Sequence, residues 1–390
     1  MRYATNLSDM SARKIAEWHA AGLIDAATRD RLAAYEADHA RPLLLWAVWG
    51  IGALAIGLGV VSVVAANWED IPGLVRLAVH LALIAGLLGL LFMREERLAE
   101  KSPWIVEALV FVTAALGLTF FGHLGQVYQT SSPIWQPLGL WLALFAPLLL
   151  LTGRSWPSAL AVIGGAVWTA WEYAGATRSN GSEPDLALSI WLAFVVALPV
   201  AFAPLAAWLG TRSLREDFCE RLGQLALAYA VAGGSLACAY ASFGGFGGPA
   251  PAHALASVLT AAAVLALSGI GVVLARGGVS GRMAGAIIAG SGLVMPLAYA
   301  VNDTAVPAAL MFFTLWVGIG AAALTAHWRR GFQQAVGVIA LRLIILSFEL
   351  AGDLLMNGLG LILAGLMILG VAWGAVRVSK RFAPRAEGEA

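Results

Sequence analysis

Charge is what this chain has least of. Only 12% of its 390 residues are Asp, Glu, Lys or Arg, where a soluble domain carries about 25%. Hydrophobic residues reach 60%, above the ~45–50% of soluble proteins. A water-soluble globule is therefore excluded. The few charges nearly cancel, 24 basic against 23 acidic, so the electrostatic footprint of a nucleic-acid-binding protein is missing. Cysteine is scarce as well. Cys219 and Cys238 stand nineteen residues apart, about 28 Å along a helix, which is beyond disulfide reach. No Cys/His spacing suits a metal. Residues 1–42 hold no apolar core of a signal peptide, so no cleaved leader is expected. Neither HExxH nor a Ser/His/Asp or Cys/His constellation occurs, and the turn Phe243–Pro249, though rich in glycine, follows no strand. Neither an enzyme nor a cofactor-binding protein is expected.

Long apolar runs are what the chain does have. A hydrocarbon core ~30 Å thick takes roughly 20 apolar residues of helix. Such stretches fall at about 43–66, 73–93, 104–122, 134–152, 156–174, 187–209, 222–242, 252–275, 282–301, 306–326, 333–350 and 357–376. Pro72, Pro103, Pro133, Pro157 and Pro251 sit near their starts, where a missing N–H costs least. The expected fold class is all-α: a polytopic transmembrane helical bundle of about 12 helices over 43–376, with a short soluble hairpin at 1–42. Residues 377–390 are expected to form a basic, disordered tail. In the hairpin, Ser11 caps a first helix and Gly22 ends it; a second runs from about Asp25 to His39 and stops before Pro42. Ile15, Trp18, Leu23, Ile24, Leu32 and Tyr35 give it only a small apolar seam. A hairpin of that size needs a further surface to pack on, which makes residues 11–40 a candidate for a protein partner.

Orientation follows from Lys and Arg in the short connections. Twenty-one of the 24 lie in the N-terminal segment, the tail and alternate connections; the opposite connections hold only Arg178, and Arg76 and Arg342 lie within helices. Both termini are thus expected in the cytoplasm of a bacterial inner membrane. The opposite face is acidic, with Glu69, Asp70, Glu183, Asp185, Asp303 and Asp353. Acidic groups collect there by default, or they form a vestibule that concentrates cations.

Ionisable and polar groups at membrane depth are costly, so each is a candidate for function beside a structural role. Arg342 lies near the middle of its helix; Glu349 and Asp353 continue the same face toward the acidic side. Arg76 and His80 stand one turn apart in the second apolar segment. His123 and Gln126 form a polar stripe ending the third, and Glu172 lies at similar depth in the fifth. Together these eight residues are the candidate lining of one polar cavity. The alternatives are a buried ion pair at Arg342, interhelical hydrogen bonds at His80, and an ordinary interfacial belt for the rest. Glu107 snorkels or pairs with a loop arginine. Asn67, Trp68, Glu69 and Asp70 make a tight outer turn, with Asn67 or Asp70 as helix cap and Trp68 as interfacial anchor.

Three stretches carry a family resemblance: Ile15–Ile24, then Gly57–Val60 through Ala65–Pro72, then Phe121–Gln129 with Trp135 and Trp141. On these the chain resembles the bacterial membrane-protein family catalogued as domain of unknown function 2157. Its end, Phe348–Leu350 with Gly358–Leu361, is similar to proteins grouped as domain of unknown function 4401. The resemblance implies a multi-pass inner-membrane protein and implies no activity.

The leading expectation is a transporter of a small solute or ion, with a polar cavity open to the extracytoplasmic face. Arg342 would hold an anionic group or a carboxylate, and Glu349 would couple protons or cations. Broken helices and internal repeats, the stronger signs of transport, are missing from this reading. The alternative is a non-transporting envelope scaffold that docks through the cytoplasmic hairpin. The lipid bilayer is the one partner common to both.

Overall fold

A computed structural model of the chain describes residues 7–39, 55, 71–101, 103–179, 185–212, 215–246, 251–351 and 358–382. The first apolar segment at 43–66 lies outside them apart from position 55. So do the outer turn Asn67–Asp70, Asp353, and the side chain of Glu349. Every regular element among the described residues is helical. The chain divides into two compact units, Met1–Arg76 and Leu77–Ala390.

In the first unit, α1 (Leu7–Ala20) packs on α2 (Ala26–His39), and Ile15 is the buried contact between polar faces. Helix α1 begins earlier than a cap at Ser11 would give. It ends at Gly22, which takes φ +71°, a left-handed conformation that glycine adopts without a Cβ penalty. The Leu23 N–H closes the turn on Trp18 O at 2.9 Å. Asp25 caps α2 by accepting from the Thr28 N–H at 2.8 Å. Hydrogen bonding from Thr28 holds the Asp25 carboxyl below its ordinary value.

The second unit is built from α3 (Gly73–Lys101), which starts at the end of the first unit, then α4 (Pro103–Tyr128), α5 (Trp135–Thr152) and α6 (Trp156–Ser179). Next come α7 (Leu186–Ala197) and α8 (Phe202–Gly210), followed by α9 (Glu216–Ser242), α10 (Pro251–Ala275), α11 (Gly278–Ala300), α12 (Ala305–Thr325), α13 (Arg329–Ala351) and α14 (Gly358–Phe382). Among the described residues, eight spans are long and apolar enough to cross a membrane: α3, α4, α5, α7 with α8 taken as one span, α9, α10, α11 and α12. Helices α6, α13 and α14 are 24, 23 and 25 residues long. Outward-facing side chains are as apolar as buried ones: Phe92 is 93% exposed and Leu274 82%. Such a surface belongs in lipid.

Helix α9 sits at the centre of the packing. Its buried side chains join three clusters, with α3–α6 through Phe218 and Leu222, with α7, α8 and α10 through Ala226 and Ala230, and with α11–α13 through Val231 and Cys238. Neither cysteine forms a disulfide. Small residues set the closest approaches, because apolar burial alone gives helices in lipid little preference for each other. A Cβ on Gly269 of α10 would meet Gly285 O of α11 at 2.5 Å and Ala289 N at 2.9 Å. On α4, Gly117 makes room for the Phe145 ring of α5, and the Trp141 indole N–H donates to Ala114 O at 2.7 Å.

Candidate functional site

The span 186–210 reads as one apolar helix, and its α-helical hydrogen bonding is interrupted for one turn while the backbone stays helical. A 3-10 turn at Leu198–Ala201 separates α7 from α8, and the cause is two prolines five residues apart. Pro199 cannot donate to Val195 O, nor Pro204 to Val200 O. In lipid each orphaned carbonyl needs another donor. The Leu198 N–H serves both Phe194 O and Val195 O, and the Phe202 N–H serves Pro199 O and Val200 O. From α9 the Tyr229 hydroxyl reaches the break and donates to Val196 O at 2.7 Å, while the Trp171 indole of α6 donates to that hydroxyl at 3.0 Å. Prolines alone do not break a span: Pro147 in α5 and Pro296 in α11 lie inside continuous helices.

Beside the break lies an open groove of about 390 Å³ between α5, α6 and the broken span. Its walls are Trp135, Leu142, Ala166, Thr169, Ala170, Tyr173, Trp191, Val195, Leu198, Pro199 and Phe202. Residues 166, 169, 170 and 173 recur at helical spacing, so one stripe of α6 forms a wall. Three aromatic rings meet at one corner. Trp135 and Tyr173 stand edge to face with centroids 5.1 Å apart, and the Trp191 indole N–H donates to the Tyr173 hydroxyl at 3.1 Å. The start of α5, the end of α6 and the start of α7 share that end of the bundle. Two acidic groups share it too. Asp185 caps α7 by accepting from the Leu188 N–H at 2.7 Å, and Glu172 accepts from the Trp168 indole at 3.1 Å. No Lys or Arg lines the groove.

Of the eight residues expected from sequence to share one polar cavity, none is among the residues that line this groove, and Glu349 and Asp353 lie outside the described side chains. His80 and His123 are brought together, their Nδ1 atoms 2.8 Å apart. Arg76 donates through Nε to Ile71 O at 2.9 Å, and Gln126 is exposed. Arg342 is buried on α13 and packs toward α9 and α12. Its guanidinium donates to the Ser242 hydroxyl at 3.1 Å and lies 5.9 Å from the Phe312 ring centroid. Glu172 borders the groove's end on another face of α6. Glu349 and Asp353 fall outside what is described, as do Asn67, Trp68, Glu69 and Asp70.

Glu107 does not snorkel; among the described residues its hydrogen bonds go to backbone N–H groups and serine hydroxyls. It is 7% exposed and turns inward to the start of α6. There it accepts the backbone N–H groups of Arg154 at 2.7 Å and Ser155 at 3.1 Å, and the hydroxyls of Ser155 and Ser158. Nearby, Arg215 donates to Leu150 O at 2.6 Å and Arg221 to Arg154 O. Burial, and then the neighbouring Arg154 guanidinium, pull the Arg215 group below its ordinary value. This end of the bundle is a structural knot of α4, α6 and α9.

Residues 16–158 match the family described as "Predicted membrane protein (DUF2157)". The match runs from α1 to the first turn of α6 and so includes His80, His123, Glu107 and Trp135 but not the broken span. It covers the motifs at 57–72 and 121–141 and all but the first residue of that at 15–24. No curated protein and no solved structure matches the chain.

Proposed function

We propose that this protein is a multi-pass carrier of the bacterial inner membrane for a small organic cation with an apolar body. The solute is held in the aromatic groove, and the broken span 186–210 is the moving element. The observation that supports this most is the break itself, placed on the groove wall at Leu198 and Pro199. Irregular turns inside membrane helices are a recurrent setting for functional sites, since they free backbone groups from the regular helical ladder. The aromatic corner supplies the chemistry. Ring faces attract a cation at ~0.5–2 kcal/mol each, no cationic side chain competes, and Glu172 and Asp185 flank the same end. In this reading α6, α13, α14 and the segment 43–66 also cross, which gives twelve crossings with both termini cytoplasmic and the groove toward the extracytoplasmic half.

Ethidium serves as the probe, both for binding to purified protein and for entry into proteoliposomes loaded with DNA. Trp191→Ala and Tyr173→Ala should each weaken binding about tenfold, which is ~1.4 kcal/mol. Pro199→Ala restores a donor at the break and should keep binding while slowing entry. If protein-containing vesicles take up ethidium no faster than empty ones, the carrier reading fails.

A second reading has its own observation. On α1, α2 and their connection, Trp18, Leu23 and Tyr35 are 44%, 71% and 61% exposed, an apolar surface that suits a docking scaffold. It requires that deletion of residues 1–40 abolish function while Trp191→Ala leaves it intact.

A further inference from the structure

Three guanidinium groups gather where α5 ends and α6 begins. Arg154 lies in the connection itself, and its side chain is exposed. Arg215, just before α9, donates to Leu150 O in the last turn of α5 at 2.6 Å. Arg221, on α9, donates through Nη1 to Arg154 O and keeps Nε and Nη2 beyond that bond. The Arg154 charge acts on Arg215 more strongly than the carboxylates of Glu107 and Glu95 do, so positive charge prevails at this corner. Glu107 is already occupied by the start of α6. On α9, Glu216 and Asp217 lie in the first turn, where the helix dipole draws them. Glu220 accepts from Gln224 at 3.3 Å and lies 4.0 Å from Arg276. Among the described residues, neither Arg154 nor Arg221 makes an ion pair.

Two indole rings at this end carry guanidiniums. Arg221 lies 6.0 Å from the centroid of Trp156, and Arg212 lies 4.3 Å over Trp208 of α8. Both rings are exposed, and exposed tryptophans mark the depth of lipid head groups. Leu160 follows Trp156 one turn later on the same face of α6, and Leu151 lies in the last turn of α5; both are exposed. We propose that the α5–α6 corner binds one anionic phospholipid, its phosphodiester held by Arg154 and Arg221 and its acyl chains laid along Trp156, Leu160 and Leu151. A guanidinium fork matches two phosphate oxygens at once, and basic pockets between spanning helices recognise such head groups. Because Glu107 fixes the backbone N–H groups of Arg154 and Ser155, the corner is rigid before the lipid arrives, which lowers the cost of binding. A zwitterionic head group brings its own cation to a corner that is already positive. A free phosphate would satisfy the forks but leave the apolar track uncovered. This site stands independently of the aromatic groove and of which face of the membrane is cytoplasmic.

The test uses the full-length protein purified in detergent, with phosphatidylglycerol, phosphatidylcholine or inorganic phosphate added. Native mass spectrometry reads the lipid retained, and thermal melting reads stabilisation. One phosphatidylglycerol per chain should be retained at concentrations where phosphatidylcholine is not, and it should raise the melting temperature where inorganic phosphate does not. Arg154→Gln removes an exposed guanidinium and keeps the backbone bonds to Glu107 and Arg221, so the protein should fold and bind phosphatidylglycerol about fivefold more weakly. Arg221→Gln should weaken it similarly; if that variant fails to fold, Arg154→Gln decides. Arg330→Gln removes an exposed charge on α13 and should leave retention unchanged. Equal retention of the two lipids, or no loss in Arg154→Gln, overturns the proposal. So does a loss in Arg330→Gln as large as in Arg154→Gln, which would mean diffuse attraction only. Equal stabilisation by inorganic phosphate would make the corner an anion site without lipid, and overturns it too.

Discussion

Glu107 of α4 does for α6 what a capping residue of its own would do, and Ser155 is where the two helices meet. The carboxylate takes both the backbone N–H of Ser155, at 3.1 Å, and its hydroxyl. The N-terminus of a helix carries the positive end of its dipole and N–H groups without partners. A buried negative charge from a neighbouring helix answers both needs, and Arg154 N–H and the Ser158 hydroxyl complete the shell. Replacement by Gln turns an amide N–H₂ toward donors and should cost about 2–3 kcal/mol. Thermal unfolding in detergent, followed by tryptophan fluorescence, measures it. Ser155→Ala with Glu107→Ala should lose clearly less than the two single changes together, since both remove the same bonds. An unchanged melting temperature in Glu107→Gln would mean that the shell contributes nothing.

Tyr229 ties the broken span to α9 and, through Trp171, to α6. Tyr229→Phe keeps the ring and deletes only the hydroxyl. The expected loss of stability is small, about 0.5–1 kcal/mol, as for most interhelical hydrogen bonds in membranes. Mobility should change more than stability. Amide hydrogen exchange at 196–203 should accelerate, while exchange in α11 stays as it was. Equal acceleration in both regions would show general loosening instead of a released break.

Close approach at α10 and α11 predicts a contrast between two glycines. Gly269→Ala must push Gly285 O and Ala289 away, at about 1–3 kcal/mol. Gly290, on α11, has nothing within 4 Å of where a Cβ would stand, so Gly290→Ala should be neutral or slightly stabilising. Melting temperatures of the two variants decide it, and equal effects would contradict the packing.

Most of the helical architecture is legible in the sequence because length and hydropathy alone determine which segments can span lipid. Helix starts at Pro103 and Pro251 follow from proline chemistry. The break at Leu198–Ala201 was legible in principle, since Pro199 and Pro204 each remove a donor within one span. A lone Pro147 or Pro296 sends no such signal. The site is a different matter. Arg342, His80, His123 and Glu172 all stand out as polar residues at membrane depth, but which of them meet depends on helix rotation, and rotation is set by small-residue contacts such as Gly269 with Gly285. His80 and His123 are 43 residues apart, and no spacing rule joins them. The groove was hidden because Trp135, Tyr173 and Trp191 look like an interfacial belt until the packing of α5, α6 and α7 brings them to one corner. Glu107 was misplaced because a carboxylate one turn inside a helix end suits snorkelling as well as capping a neighbour.

The number of crossings turns on α6. Its 24 residues include Trp168, Glu172 and Arg178 and are less apolar than its neighbours, yet α5 and α7 on either side of it are spans. If α6 crosses, residues 154 and 178 face opposite sides; if it does not, they share one side, and the Lys/Arg asymmetry loses its basis. Arg178 and Arg330 are both exposed, so cysteines placed there in a chain lacking Cys219 and Cys238 can be labelled with a membrane-impermeant maleimide. Position 178 should react on intact spheroplasts, and position 330 only after permeabilisation. Reaction of both from outside would reverse the cytoplasmic assignment of the α12–α13 connection. Reaction of neither would place Arg178 on the cytoplasmic side and remove α6 from the bilayer, which would leave the aromatic corner at Trp135, Tyr173 and Trp191 without access from the extracytoplasmic face and sink the proposed route of entry.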